Sequence, residues 1–365
     1  MKKILCLLFA ILTLLTGVLT GCSNDTPTIP TKEETQMATI TSPQEENTMA
    51  TITSPQEETK PAVKNDGVLN LLMVGSSYCY YYVEELYDLL MENPPEGITE
   101  VNVYNLYYSG CKITWHHNWW KEGKANYDFF RVDATGRKKV EGFDKWSLDQ
   151  ALVMADWDFI SLQGTPVGQY YYSTDPNLIS ADTYRLAEPV LDHFHEMFPN
   201  AKLLWHGTWA KEIGRIDPDG HVYTPEEIPV INASMAQVCE YLCENISKNK
   251  PYDLTMVPTG LAWAKAREAN ETENVLLYGG LCARLGKNAF GDNREHSGDG
   301  THDGDIGGGQ LLNACVWYEI ITGNDCREVS YIPTYTHNGI TYTVDGALRM
   351  LLINAAHEAV AEMQK

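Results

Sequence analysis

Positive charge is scarce in this chain. Twenty-seven lysines and arginines face 49 aspartates and glutamates, a formal net charge of −22. A surface with so few cations has little to offer a phosphate backbone or an anionic lipid headgroup, so no nucleic acid partner is expected. Cysteine pairing signals are also missing. No Cys-x-x-Cys occurs, which argues against a cysteine zinc site. Of nine cysteines, Cys6 and Cys22 belong to the N-terminal segment. The others (Cys79, Cys111, Cys239, Cys243, Cys282, Cys315 and Cys326) are odd in number and widely spaced, unlike a disulfide framework. Asp292, Asp299, Asp303 and Asp305 sit among glycines and would suit a Ca²⁺ loop, but no glutamate closes it at the EF-hand spacing. No Gly-x-Ser-x-Gly elbow follows a strand candidate, which disfavours the common α/β-hydrolase layout. No metal or organic cofactor is implied.

The N-terminus has the form of a targeting segment. Lys2 and Lys3 precede an apolar run from Ile4 to Val18, too short to span a bilayer comfortably. It ends in Leu19-Thr20-Gly21-Cys22, which resembles the lipobox of bacterial lipoproteins. On that resemblance residues 1–21 are a signal peptide and Cys22 carries a lipid anchor. An ordinary secreted protein cut near the same place is the alternative. Residues 22–66 are rich in Thr, Pro, Glu, Ser and Gln and nearly free of aromatic side chains. A twelve-residue segment, Met37–Thr48, is repeated almost unchanged over Met49–Lys60. Such a stretch buries too little apolar surface to fold and serves as a tether, reaching about 35–40 Å on average. The expected location is outside the cytoplasm, lipid-anchored at the bacterial cell surface.

Residues 67–365 are long enough for one sizeable core. Apolar runs at 68–74, 101–107, 157–163, 201–206 and 253–257 read as strands. Helices are expected at about 80–92, 147–154, 181–197, 225–247, 259–268, 273–285, 306–322 and 345–363. A hairpin is expected over 328–343 around Asn338-Gly339. Strands separated by helices predict a parallel sheet covered on both faces, a three-layer α/β/α arrangement with the strand C-termini on one rim.

Polar residues collect on that predicted rim. Ser77, in Gly75-Ser76-Ser77-Tyr78, follows the first strand. Gly110 follows the second, and Gln163 ends the third. Asp299-Gly300-Thr301-His302 precedes a late apolar helix. Turn chemistry explains each motif alone. Their joint placement is the layout of a serine hydrolase, with Ser77 as nucleophile, His302 as its base and Asp299 orienting the base.

With these blocks the chain resembles the SGNH (GDSL-type) hydrolase superfamily over about residues 68–323. The match extends to Asn105–Cys111, Trp157–Gln163 and Asp299–His302, and its wording is similar to an uncharacterised bacterial branch. The resemblance implies a flavodoxin-like sheet of five parallel strands. It also implies an oxyanion hole formed by the backbone N–H groups of Ser77 and Gly110. Two positions depart from the pattern. Ser76 stands where Asp or Asn is usual, and Gln163-Gly164-Thr165 replaces the asparagine block after the third strand. Gln163 carries the same amide donor on a longer stem and would complete the hole; the alternative is that it merely ends the strand.

Tyr78, His116, Trp205 and His206 are expected to line the substrate cleft. Trp115-His116-His117-Asn118-Trp119-Trp120 is read as an extended segment under the second rim loop, suiting either a sugar platform or loop packing. Export on a tether and an aromatic-rich rim point to an O-acylated, acetyl-bearing carbohydrate as substrate. The absence of a long apolar lid argues against an interfacial lipase. The expected activity is that of a cell-surface serine esterase. The alternatives are a catalytically inactive glycan-binding lipoprotein and an O-acyltransferase using the same triad.

Overall fold

Alternating large apolar side chains in the strands face two helical layers. The computed structural model describes residues 67–164, 176–210, 224, 226–273, 308–337, 340–344 and 346–364. Cys22, the signal segment, the tether, Asp299, His302 and nearly all of the helix expected over 273–285 lie outside them. All described residues belong to one unit, Glu57–Lys365. No helix among them is long and apolar enough to cross a membrane.

In chain order the elements are β1 (Val68–Gly75), α1 (Val83–Glu92), β2 (Glu100–Tyr107), α2 (Ile113–Lys121), β3 (Asp128–Asp133), β4 (Gly136–Lys139) and α3 (Leu148–Leu152). There follow β5 (Phe159–Leu162), α4 (Pro176–Met197), β6 (Lys202–His206), α5 (Glu227–Asn249), β7 (Leu254–Val257) and α6 (Thr259–Glu273). The last are α7 (Gly308–Thr322), β8 (Thr334–His337), β9 (Ile340–Thr343) and α8 (Gly346–Met363). β8 and β9 pair antiparallel, flanking residues 338–339 as expected.

Among the described residues the main sheet has seven strands, in the order β4-β3-β2-β1-β5-β6-β7. This corrects the expected five. β2, β1, β5, β6 and β7 pair in parallel, while β3 and β4 add an antiparallel hairpin beside β2. The hairpin escapes a search for apolar runs because its sequences, Asp-Phe-Phe-Arg-Val-Asp and Gly-Arg-Lys-Lys, are dominated by charge. Charge is what an edge strand needs, since it discourages pairing with another chain.

Strand alternation sorts the core into two layers. Leu69, Leu71 and Met73 of β1, with Val101 and Val103 of β2, face α1, α6, α7 and α8. Leu72 and Val74, with Tyr104 and Leu106, face α2, α3, α4 and α5. The register pairs like with like across β1 and β2: Leu71 with Val103, Leu72 with Tyr104. Leu71 and Leu72 are fully buried, each contributing about 1.5–3 kcal/mol by removal from water. Helix α7 is buried at every position except Ile320, so it has no polar face, and it packs against α1, α6 and α8. Helix α3 begins with a capping box between Ser147 and Gln150. Helix α4 starts at Pro176, earlier than expected, and Ser180 lies inside it and buried. Parallel pairing brings the C-terminal ends of β1, β2, β5 and β6 to one rim.

Candidate active site

The chain leaves β1 at Gly75 and turns sharply. Ser76 is extended and buried, with φ −111° and ψ −160°. Ser77 then opens a 3-10 turn, Ser77–Cys79, and is half-buried. Two backbone hydrogen bonds close the turn: Cys79 N–H to the Ser76 carbonyl at 3.0 Å, and Tyr80 N–H to the Ser77 carbonyl at 3.3 Å. Gly75 is required here for space. A Cβ on it would lie 2.5 Å from Gln163 Oε1 and 2.6 Å from Cys79 Sγ.

Four neighbouring segments brace the turn. From β5, the Gln163 amide oxygen accepts the Ser76 N–H at 2.8 Å, and the amide nitrogen donates to Ser76 Oγ at 3.1 Å. From β2, Asn105 Nδ2 donates to the Met73 carbonyl at 3.1 Å and to Cys79 Sγ at 3.3 Å. Burial pushes the Cys79 thiol up to about 12, so it stays protonated and is a poor nucleophile at neutral pH. From β4, Arg137 donates to the Tyr80 carbonyl at 2.8 Å, lies 4.0 Å over the Tyr80 ring and pairs with Glu84. Burial raises the Glu84 carboxyl, and the Arg137 charge opposes that shift. The charged hairpin thus reaches back to hold the exit of the Ser77 turn. The fourth brace is the second rim turn. Tyr108 N–H donates to the Gly75 carbonyl at 3.0 Å, and Cys111 N–H to the Tyr108 carbonyl at 3.1 Å. Gly110 has φ +65°, the left-handed conformation that favours glycine in a turn, and a Cβ there would meet none of the described residues within 4 Å.

Ser77, Gly110 and Gln163 are therefore gathered on the rim at the ends of adjacent strands. Tyr78 joins them, half-buried, its ring edge-on to Trp209 at 4.6 Å. Trp209 in turn stacks on Trp263 at 4.8 Å.

The other three residues expected to line the cleft are core residues instead. His116 is completely buried; its Nδ1 lies 2.8 Å from the Tyr127 hydroxyl and its ring stacks on Tyr127. Trp205 is 1% exposed and fills the space beneath Gly164, where a Cβ would come within 2.5 Å of its ring. His206, also buried, shares Nε2 between Thr259 Oγ1 at 3.0 Å and the Tyr82 hydroxyl at 3.4 Å. Burial lowers both histidines to about 3, so each is neutral at pH 7. The reason lies in strand and helix geometry. Trp205 and His206 belong to β6 and point into the two core layers. His116 lies on the inner face of α2, a segment expected to be extended.

That helix leaves a different surface on the rim. Trp115 is exposed and stacks on Trp119 at 5.7 Å, one turn along α2, with Tyr108 edge-on to both. The two tryptophans are four apart, a spacing that falls on one face of a helix but equally on one face of a strand, so it does not by itself announce α2. Elsewhere Glu319, Asp325 and His357 bring ligand atoms within 4.8 Å of one another. Their oxygens are already engaged: Asp325 by Arg327 at 2.9 Å, and Glu319 by the Cys326 N–H at 2.9 Å.

A three-layer α/β domain with a serine on a braced turn at the end of its first strand is the class that fold and rim define. The chain belongs to the DUF4886 family, a domain of unknown function, whose profile matches residues 70–269, more than half of the chain. A DUF4886 family protein from Bacteroides uniformis has a crystal structure with TM-score 0.56 to this one at 19% identity; the match covers 82% of this chain and 96% of that one. A crystal structure described as a putative GDSL-like lipase from Parabacteroides merdae matches at TM-score 0.42 and 16% identity, over 73% of this chain and 99% of that one. A lipase from a goat rumen metagenome matches at TM-score 0.34 and 12% identity, over 55% and 85%. No curated protein matches the chain.

Proposed function

We propose that this protein is a serine esterase of the SGNH hydrolase type, lipid-anchored at the cell surface through Cys22 and acting on O-acyl, chiefly O-acetyl, groups of carbohydrate. One observation carries the reading. Ser77 opens a turn at the C-terminal end of β1, the turn is held by β2, β4 and β5, and it lies against the Gly110 turn. A nucleophile needs such placement, because reacting groups must be held near the attack geometry before the substrate arrives.

The chemistry follows the general pattern of an activated serine. His302 takes the Ser77 hydroxyl proton as Oγ attacks the ester carbonyl, and Asp299 orients His302. The backbone N–H groups of Ser77 and Gly110 hold the tetrahedral oxyanion. Collapse expels the sugar alcohol, which receives the proton from His302. Water, deprotonated by His302, then releases the acid and restores Ser77. Carbohydrate is favoured because the surface beside the Gly110 turn is aromatic: Tyr108 and Trp119 support an exposed Trp115. Flat aromatic faces suit sugar rings.

The test is covalent labelling of the wild type by a fluorophosphonate, with the adduct mapped to Ser77, beside acetate release from acetylated xylan, pectin and peptidoglycan. An unlabelled wild type removes the esterase reading in favour of a non-catalytic glycan-binding lipoprotein. Labelling together with a preference for acyl chains of eight or more carbons, and no acetate from any glycan, removes the carbohydrate assignment alone. Transfer of the acyl group to a sugar alcohol in preference to water marks an acyltransferase.

A further inference from the structure

We propose that Gln163 is a positioning residue, which with Ser76 forms a clamp that fixes the Ser77 turn and takes no direct part in holding the oxyanion. The inference rests on the serine-esterase reading. Both halves of Gln163 are tied to the same stretch of chain. Its backbone N–H donates to the Val74 carbonyl at 2.9 Å, and its side-chain amide reaches the next residue but one, Ser76. The clamp straddles Gly75, whose missing side chain provides the room.

The orientation of the amide is set by elementary hydrogen bonding. A backbone N–H can only donate, so the amide atom 2.8 Å from Ser76 N must be the oxygen. The nitrogen then faces Ser76 Oγ at 3.1 Å. Turning the amide to direct its nitrogen elsewhere strands the Ser76 N–H, in a place where Ser76 is 1% exposed and Gln163 fully buried. A buried donor without a partner bears the full cost of its desolvation. The pair is therefore held shut, and the residue it holds, Ser76, precedes the nucleophile directly.

A positioning role and a donor role differ in how Ser76 matters. The hydroxyl of Ser76 is part of the clamp but has no place in an oxyanion hole. The experiment is a double-mutant cycle of Ser76→Ala and Gln163→Met in the full chain. It reads kcat and KM on an aryl acetate, the rate and final stoichiometry of fluorophosphonate labelling, and the melting curve. The clamp predicts a loss in kcat of about tenfold for Ser76→Ala and about a hundredfold for Gln163→Met, as expected for a nucleophile displaced by up to an ångström. KM stays within about twofold, and all molecules are labelled in the end, only more slowly, which separates misplacement from loss of folded protein. In the Gln163→Met background, Ser76→Ala costs less than about twofold, since the partner is already gone.

Gln163→Glu supplies a second arm should Gln163→Met fail to fold. It keeps an oxygen towards the Ser76 N–H, and it returns kcat to within about tenfold of the wild type. Wild-type kcat in Ser76→Ala overturns the clamp. So does a Ser76→Ala loss that is equally large in both backgrounds, and so does an inactive but folded Gln163→Glu, because a donor cannot be replaced by an acceptor. Failure of the wild type to label at Ser77 overturns the esterase reading and the clamp with it. A labelled wild type with an indifferent Ser76→Ala overturns the clamp alone.

Discussion

Gly75→Ala separates packing from backbone conformation at the candidate site. The added Cβ would stand 2.5 Å from Gln163 Oε1, 2.6 Å from Cys79 Sγ and 2.8 Å from Gln163 Cβ. Comfortable contacts of carbon atoms begin near ~3.5 Å, so something must move by about 1 Å. Neither neighbour is free to do so. Gln163 Oε1 holds the Ser76 N–H, and Cys79 Sγ donates to the Ser76 carbonyl at 3.2 Å while accepting from Asn105. Overpacking of this kind costs about 1–3 kcal/mol. At roughly 2–4 °C per kcal/mol for a domain of this size, the melting temperature should fall by about 2–12 °C. Since the moving parts flank Ser77, kcat on an aryl acetate should fall by about a hundredfold. Gly110→Ala makes the contrast. None of the described residues lies within 4 Å of its Cβ, and the cost is the left-handed φ of +65°, about 1–2 kcal/mol with none of those neighbours displaced. Scanning fluorimetry and steady-state kinetics measure both quantities. A Gly75→Ala protein that melts within a degree of the wild type and keeps its kcat would refute the packing argument.

Ser77→Ala and His302→Ala should each abolish aryl acetate hydrolysis, and the wild-type rate should fall as pH drops through about 6.5, where His302 would protonate; a flat profile from pH 5 to 8 counts against His302 as base. Stability should also decline in acid, because His116 and His206 are held neutral down to about pH 3 in the folded state. Below about 6.5 the unfolded chain takes up protons that the folded chain refuses, so each histidine removes about 1.4 kcal/mol per pH unit between those values. Urea midpoints unchanged from pH 7 to 4.5 would sink that account. Cys22→Ala should release the protein from membranes or leave its signal uncut, and absence of fatty-acid labelling in the wild type would end the lipoprotein reading. Trp115→Ala should raise KM on an acetylated polysaccharide about fivefold, from a loss near 1 kcal/mol of stacking, and leave aryl acetate kinetics alone; equal effects on both substrates argue against a sugar platform.

The elements that the sequence announces are those whose burial pattern is uniform. β1, β2, β5, β6 and β7 lie between two helical layers, and strands covered on both faces read as apolar runs. Helices α5, α7 and α8 lie within about two residues of their expected bounds, since long helices carry redundant signals. The β3–β4 hairpin and α2 did not show. β3 and β4 form an edge, where charge replaces apolar alternation. In α2, aromatic and histidine side chains cover several sides at once, so Ile113, His116 and His117 turn inward while Trp115 turns out. An aromatic-rich run of that kind does not look amphipathic on either a helical or an extended period. His206 and Trp205 illustrate a second blindness. Position at a strand end suggests exposure, yet the rim of β6 is roofed by Thr259 of α6 and by Tyr82.

The candidate site divides along the same line, between what is local and what is not. Gly75, Ser77 and Gly110 could be picked out because turn chemistry is written in two to four consecutive residues. What holds Ser77 in place is written far away. Asn105 is 26 residues from Cys79, Arg137 is 57 from Tyr80, and Gln163 is 87 from Ser76. Asn105 lies on β2, Arg137 on β4 and Gln163 directly after β5, so each contact exists only once the sheet has assembled in its proper order. A turn whose braces come from β2, β4 and β5 cannot be preorganised in a partly folded chain. It gains its geometry together with the register of β1 against β2 and β5. Substitutions that weaken that register, even below the rim at Leu71 or Leu72, should therefore lower the fraction of molecules with a reactive Ser77 in step with the folded fraction. Substitutions within the clamp should slow the reaction of every molecule instead. The two behaviours are separable by titrating active sites, and the reactivity proposed for Ser77 is in this sense a property of the whole sheet edge rather than of the Gly-Ser-Ser turn.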